Sequence, residues 1–142
     1  MTMTKKFKIL ADFVKDISVE TADIETYLFV KDNIIKYHLN IDIISKPLKN
    51  KLIEVETIFN FQDKEPNEKR SLFEIKYAAI VKLDDDVKDK DMVKKILLCE
   101  VQKEIYPKLE KCFTNLIKDS GFPELKFEKK VDFDELFKQR NR

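Results

Sequence analysis

Glycine is almost absent: Gly121 is the only one in 142 residues, where a domain of this length ordinarily carries about ten. A loop that wraps backbone amides round a phosphate needs several, so P-loop and dinucleotide-fold readings are excluded. A surplus of one charge is missing too. The 28 Lys and Arg stand against 27 Asp and Glu, for a net charge of +1, whereas a surface built to neutralise a nucleic-acid backbone needs a basic excess. The balance predicts no nucleic-acid partner. Long apolar runs are lacking as well. No uncharged stretch approaches the ~18 residues that span a bilayer, and the opening MTMTKKFKIL has no apolar leader core. The expectation is a soluble cytoplasmic protein with no segment inserted in a membrane.

Catalytic residue types are scarce. The single histidine, His38, falls on the polar side of an alternating segment with no second ligand or triad partner near it in sequence, and reads as a surface histidine. The run Asp84-Asp85-Asp86 reads as a solvated turn, with a weak cation site as the other reading. Cys99 and Cys112 lie 13 residues apart in a helical stretch, which separates them by ~20 Å if straight. A disulfide needs Cα atoms within ~7 Å, so both are expected as buried thiols. No residue set suggests catalysis, a metal or a cofactor.

What is present is a single domain, residues 1–142, with 43% apolar residues to build a core. Tyr37, Leu39, Ile41 and Ile43 alternate with His38, Asn40 and Asp42; Ile53, Val55, Thr57, Phe59 and Phe61 alternate with Glu54, Glu56, Ile58 and Asn60. Both are strands with one mainly apolar face. An earlier strand lies within Lys6 to Glu20, and a later one runs from Ser71 to Leu83 with Phe73, Ile75 and Tyr77 on one side and Leu72, Glu74 and Lys76 on the other. The polar, proline-bearing connections 45–50 and 62–70 are too short for crossover helices and suit antiparallel pairing. Residues 21–33 are less regular and are expected to cross over the sheet.

The period then changes. Val93, Ile96, Leu97, Val101, Ile105, Leu109, Cys112, Phe113, Leu116 and Ile117 form one helical stripe, which Pro107 should kink or divide. Gly121 is a candidate C-terminal cap, and Asp132 with Glu135 has capping-box spacing ahead of a short last helix. The fold class is α+β: a four-stranded antiparallel sheet, a long kinked helical segment on one face and a short C-terminal helix.

Several segments together resemble the SecB family of bacterial export chaperones. They are Val14-Lys-Asp-Ile-Ser-Val-Glu20, Leu72-Phe-Glu-Ile75, Tyr106-Pro-Lys-Leu-Glu-Lys-Cys-Phe-Thr114, Gly121-Phe-Pro-Glu-Leu125 and Val131-Asp-Phe-Asp-Glu-Leu-Phe137. Each is weak alone; in this order over nearly the whole chain they are specific. The resemblance implies a homotetramer, a dimer of dimers, that binds unfolded precursor proteins without ATP and passes them to the SecA motor. It implies client binding at Tyr37, Leu39 and Ile41, SecA binding at Asp16, Glu20, Leu72 and Glu74, and a bearing of Phe73, Ile75 and Tyr77 on subunit assembly. Ordinary core packing is the alternative reading of the client-binding and assembly residues, and a solvated sheet face that of Asp16, Glu20, Leu72 and Glu74.

The chain departs from the family pattern in three ways. Ala78-Ala79 replaces the usual Gly-Gly, which puts any bulge relying on positive φ in doubt. The chain ends Lys138-Gln-Arg-Asn-Arg142 in place of an acidic tail, and its balance is neutral to slightly basic. A SecB-like chaperone dedicated to a single partner such as an antitoxin is the alternative. A small ligand-binding domain or enzyme is a more distant one.

Overall fold

The computed structural model describes residues 5–65, 67–125 and 131–140, and so leaves out Pro66 of one connection and the last two residues of the tail. Four strands, β1 (Phe7–Glu20), β2 (Tyr37–Pro47), β3 (Leu52–Asp63) and β4 (Leu72–Leu83), form one antiparallel sheet in the order β1-β4-β3-β2. β1 and β2 therefore occupy opposite edges, and the chain between them has to cross the sheet, as the irregular pattern of residues 21–33 anticipates. That crossover is α1 (Ile24–Asn33) with a 3-10 turn, Ile34–Lys36, running straight into β2. Asp23 caps α1 by accepting from the Thr26 N–H at 2.8 Å.

The alternation noted in β3 and β4 sorts their side chains onto two faces. Phe73, Ile75, Tyr77, Ala79 and Val81 of β4 and Val55, Thr57, Phe59 and Phe61 of β3 are buried on the face covered by helices. α2 (Lys90–Lys95), a π-helical turn (Ile96–Glu100) and α3 (Val101–Asp119) follow in one continuous helical run. Val101, Ile105, Leu109, Phe113 and Ile117 recur every four residues and are all buried. Phe113 meets Phe59 and Phe61 edge-on, with ring centroids 5.6 and 5.5 Å apart.

Pro107 does not divide this run. α3 passes undivided through Pro107, which is exposed; its ring removes one donor from the helical ladder. The break in α-helical geometry is the π turn. There the fully buried Gln102 donates to the Leu97 carbonyl at 3.3 Å and accepts from the Thr57 hydroxyl at 2.8 Å. One polar pair thus sits satisfied in an apolar core and ties the turn to β3. Cys99 and Cys112 are free thiols; Cys99 is buried, as expected, whereas Cys112 at the margin of the core is half-buried.

Ala78 and Ala79 lie in an unbroken β3–β4 register and are fully buried. The shifts in pairing occur instead on the edge strand β1, between Ile9 and Ala11 and between Val14 and Asp16. The last helix, α4 (Phe133–Arg140), begins after Asp132, which accepts from the Glu135 N–H at 3.1 Å.

Gly121 ends α3 with φ 102°, and the following Phe122 N–H donates back to the Ile117 carbonyl at 3.2 Å. Tyr27 of α1 donates its hydroxyl to the Gly121 carbonyl at 2.7 Å and tilts over Phe122, so this cap also anchors the crossover. A Cβ at Gly121 would stand 2.5 Å from the Tyr27 ring. Gly121→Ala is expected to lower stability by about 1–3 kcal/mol, combining left-handed strain with displacement of Tyr27. Urea unfolding measures the loss, and a shift in stability below ~0.5 kcal/mol would contradict this account of the cap.

Candidate binding surfaces

Because all the helices named in the core lie on one side of the sheet, the outward side of each strand is left for other contacts. Opposed residues in a ladder share a face, and the register sets Asp16 against Lys76, Ser18 against Glu74 and Glu20 against Leu72. Asp16, Glu20, Leu72 and Glu74 are thereby gathered on one patch of the outward face, from two strands that are distant in sequence. Asp16 and Glu20 are exposed, while Leu72 and Glu74 are half-buried. Ser18 donates to Asp16 at 3.1 Å, and Lys76 lies 3.9 Å from Glu74.

Further along this face the bulge in β1 frees Lys15 to reach across β4. It donates to Glu54 and Glu56 of β3, both at 2.9 Å, and the two carboxylates hold its ammonium pKa up at about 12. Small Ala78 lies between the strands so joined and is wholly covered. His38, facing Gln62 on the same side of the sheet, is exposed, consistent with a surface histidine.

β1 itself is apolar and open. Leu10, Phe13, Val14, Ile17 and Val19 are each more than 40% exposed, a concentration unusual for an edge strand. On its inner side Asp12 accepts from Tyr77 at 3.1 Å and from Lys108 of α3 at 3.0 Å. Burial, then the Asp12 carboxylate, pushes the Tyr77 phenol up to about 12. Phe73, Ile75 and Tyr77 all point toward the helices, with exposures of 0, 0 and 5%. Within one chain they are core residues.

The helix-side edge of the sheet is β2. Tyr37 is buried, its ring 5.4 Å from Phe61 and its oxygen accepting from the Ser71 N–H at 2.9 Å. Leu39 and Ile41 are half-buried and pack against the core margin. The three share a face, with Tyr37 as its inner end and Leu39 and Ile41 nearer the rim. The sequence reading missed what precedes them. Ile24, Leu28, Phe29 and Ile35 of the crossover are 74, 55, 37 and 83% exposed, and Ile35 stands two residues before Tyr37. A detectable signal was there: apolar residues occur on every side of α1, while only Thr26 and Val30 are buried.

Among the described residues, one group brings potential metal ligands together: Cys99, Glu100 and Asp134 offer atoms within 4.8 Å of one another. Asp134 is already engaged, accepting from the Cys99 thiol at 2.9 Å and pairing with Lys103 at 3.0 Å. Burial, then Asp134, pushes the thiol to about 11 and keeps it protonated at neutral pH. The contact fastens α4 to the π turn. The Asp84-Asp85-Asp86 segment is exposed, with Asp86 accepting from Lys6 at 2.6 Å.

Comparison with known proteins matches residues 1–142 to the family model described as SecB, preprotein translocase subunit SecB. A protein of Pelagibacter ubique (strain HTCC1062), named as a candidate protein-export protein SecB, is 55% identical over 97% of this chain and 99% of its own length. Among solved structures, a Mycobacterium tuberculosis SecB-like chaperone in complex with a ChAD peptide from the HigA1 antitoxin superposes with a TM-score of 0.65. It is 11% identical and aligns over 89% of this chain and 88% of that one. The α+β architecture read from the sequence is the fold of that chaperone.

The Tyr77 phenol generates a pH dependence. An unfolded tyrosine ionises near 10 and the folded one near 12, so the folded state retains a proton that the unfolded chain has released. This contribution to stability is intact below pH 10 and is lost as the pH rises to 12, with a slope of up to about 1.4 kcal/mol per unit. Tyr77→Phe is expected to flatten that alkaline decline while changing stability at pH 7 by no more than about 1.5 kcal/mol. Unfolding midpoints across pH 9–12 decide it, and an identical decline in the variant would rule the phenol out.

Proposed function

The chain belongs to the SecB family of chaperones, and from that premise we propose that it is an ATP-independent cytoplasmic holdase that keeps precursor proteins unfolded and delivers them to SecA. The observation that carries the reading is the separation of two kinds of surface by the sheet. Apolar side chains of the crossover and the β2 rim lie apart from the acidic patch around Leu72.

Holding a non-native chain requires attraction without a sequence code. Burial of apolar surface supplies that at about 25 cal/mol per Å². Leu39 and Ile41 at the rim, with Tyr37 as the inner end, form one part of the proposed client surface. Ile24, Leu28, Phe29 and Ile35 extend it along the crossover. A client long enough to touch several such surfaces in one assembly gains avidity from modest contacts.

Delivery requires a second surface. Asp16, Glu20 and Glu74 around Leu72 suit a basic partner, with charge steering the encounter and the leucine adding apolar contact. We assign this patch to SecA. Self-association into a dimer of dimers is supported by the exposed apolar edge of β1. Phe73, Ile75 and Tyr77 would act on assembly by holding β4, and through it β1, in place.

A second reading has a specific observation behind it: the superposed chaperone was solved with an antitoxin peptide, so a role dedicated to a single partner is the alternative. The 55% identity to a protein named for export favours the general role.

Leu39→Arg is expected to cut suppression of aggregation of a denatured precursor severalfold in the absence of nucleotide, measured by light scattering. Unchanged suppression would remove Leu39 from the client surface. Charge reversal by Glu74→Lys is expected to weaken SecA binding about tenfold or more while leaving client holding intact. Equal loss of both activities would point to damaged folding instead.

A further inference from the structure

β1 presents Leu10, Phe13, Val14, Ile17 and Val19 to solvent along one edge of the sheet, and a charged residue stands in the middle of them. Lys15 is the extra residue of the second bulge, between Val14 and Asp16. Its ammonium is drawn away from these apolar side chains, over β4 to Glu54 and Glu56 of β3, both at 2.9 Å. Neighbouring strands lie about 4.8 Å apart, so the bridge spans ~10 Å. On β4 the residue between Phe13 and Glu56 in the pairing is the small, wholly covered Ala78. On the opposite face Asp12 accepts from the Tyr77 hydroxyl at 3.1 Å and from Lys108 of α3 at 3.0 Å. Only Phe13 and Val14 lie between the two anchors, so the centre of this edge is held from both sides.

We propose that Lys15, held by Glu54 and Glu56, is a positioning residue for self-association: the bridge fixes the bulged centre of β1 in the shape in which its apolar edge meets a second copy of the chain. This rests on the reading that the β1 edge joins subunits. Apolar side chains supply attraction without direction, so the register of such an edge has to come from its backbone. A bulge bends the strand and raises its twist, and the direction in which the bulge turns is set by where its extra residue is tied. The bridge has a second effect. An ammonium left loose beside Phe13, Val14 and Ile17 would be carried into the interface, where burying an unpaired charge is costly; bridged to β3, it stays outside. Glu54 and Glu56 are two strands from the edge and contribute without belonging to the contact. Two identical chains joined about a two-fold axis place the same strand on both sides of their interface, so each change to the bridge enters twice.

The experiment follows subunit dissociation of the purified full-length chain by sedimentation over a dilution series, with circular dichroism as the check on folding. It compares Lys15→Gln, the paired Glu54→Gln and Glu56→Gln, and all three together. Lys46→Gln is the control, because Lys46 is exposed, faces Glu54 from β2 and removes the same charge. Severalfold weakening per copy gives about a tenfold weaker assembly for Lys15→Gln and for the glutamine pair. The triple variant is expected to lose no more than Lys15→Gln alone, since one bridge can be broken only once. Lys15→Arg, whose guanidinium can take both carboxylates, and Lys46→Gln are expected to stay within about twofold of the unsubstituted chain. Ile17→Arg, at an exposed edge position, tests the edge itself. If Lys15→Gln assembles as tightly as Lys46→Gln while Ile17→Arg dissociates, the inference is overturned with the edge reading intact. Losses that multiply in the triple variant, or a loss in Lys15→Arg equal to that in Lys15→Gln, overturn it as well. If the unsubstituted chain is monomeric, or Ile17→Arg assembles unchanged, the edge reading itself fails.

Discussion

A sheet with helices on only one side imposes the central constraint. Every strand residue alternates between a covered face and an open one, and the core can absorb only the first set. β3 and β4, central in the sheet, turn their aromatic side chains inward and Glu54, Glu56, Asn60 and Glu74 outward, with Ile58, Leu72 and Ile80 as apolar residues of the open face. The α3 stripe completes the covered layer. Once that layer is closed, a second layer would have to come from another molecule, and the chemistry of the outward residues limits what that molecule can be.

The two edges answer this constraint differently. β2 keeps an uninterrupted register with β3 and leaves Leu39 and Ile41 half-covered. β1 carries two bulges and five exposed large apolar side chains. Bulges bend and twist an edge, so they restrict which partners can add to it. The crossover α1 has to run from one edge to the other, and the Tyr27 contact at Gly121 is what fastens it to the end of α3.

Where local pattern and final environment agree, the sequence was readable. The period-two alternation of β2, β3 and β4, the apolar stripe of α3, the Gly121 cap and the Asp132 cap all stand where residue spacing put them. So does the gathering of Asp16, Glu20, Leu72 and Glu74 on one face, since period two assigns the faces and strand pairing alone was needed to join them. α1 was obscure because it is apolar on several sides and so has no helical period to detect. The division expected at Pro107 does not occur, and the interruption of α-helical geometry lies earlier in the run, in the π turn. The turn itself depends on a buried Gln102 meeting Thr57, two residues far apart in the chain. The β1 bulges were equally hidden, because they arise from pairing with β4 rather than from any motif in β1.

Ala78-Ala79 has a consequence outside the folded structure. Both residues sit in ordinary strand geometry, with positive φ confined among the described residues to Asn50, Lys51 and Gly121. Alanine there demands nothing that glycine alone could supply. Its effect falls on the unfolded ensemble, where each alanine has fewer conformations to give up than a glycine would, worth roughly 0.5–1 kcal/mol per site. Extended to a chain with one glycine in 142 residues, this lowers the entropy cost of folding without adding a contact. Part of this protein's stability is therefore set by restricted freedom of its disordered state.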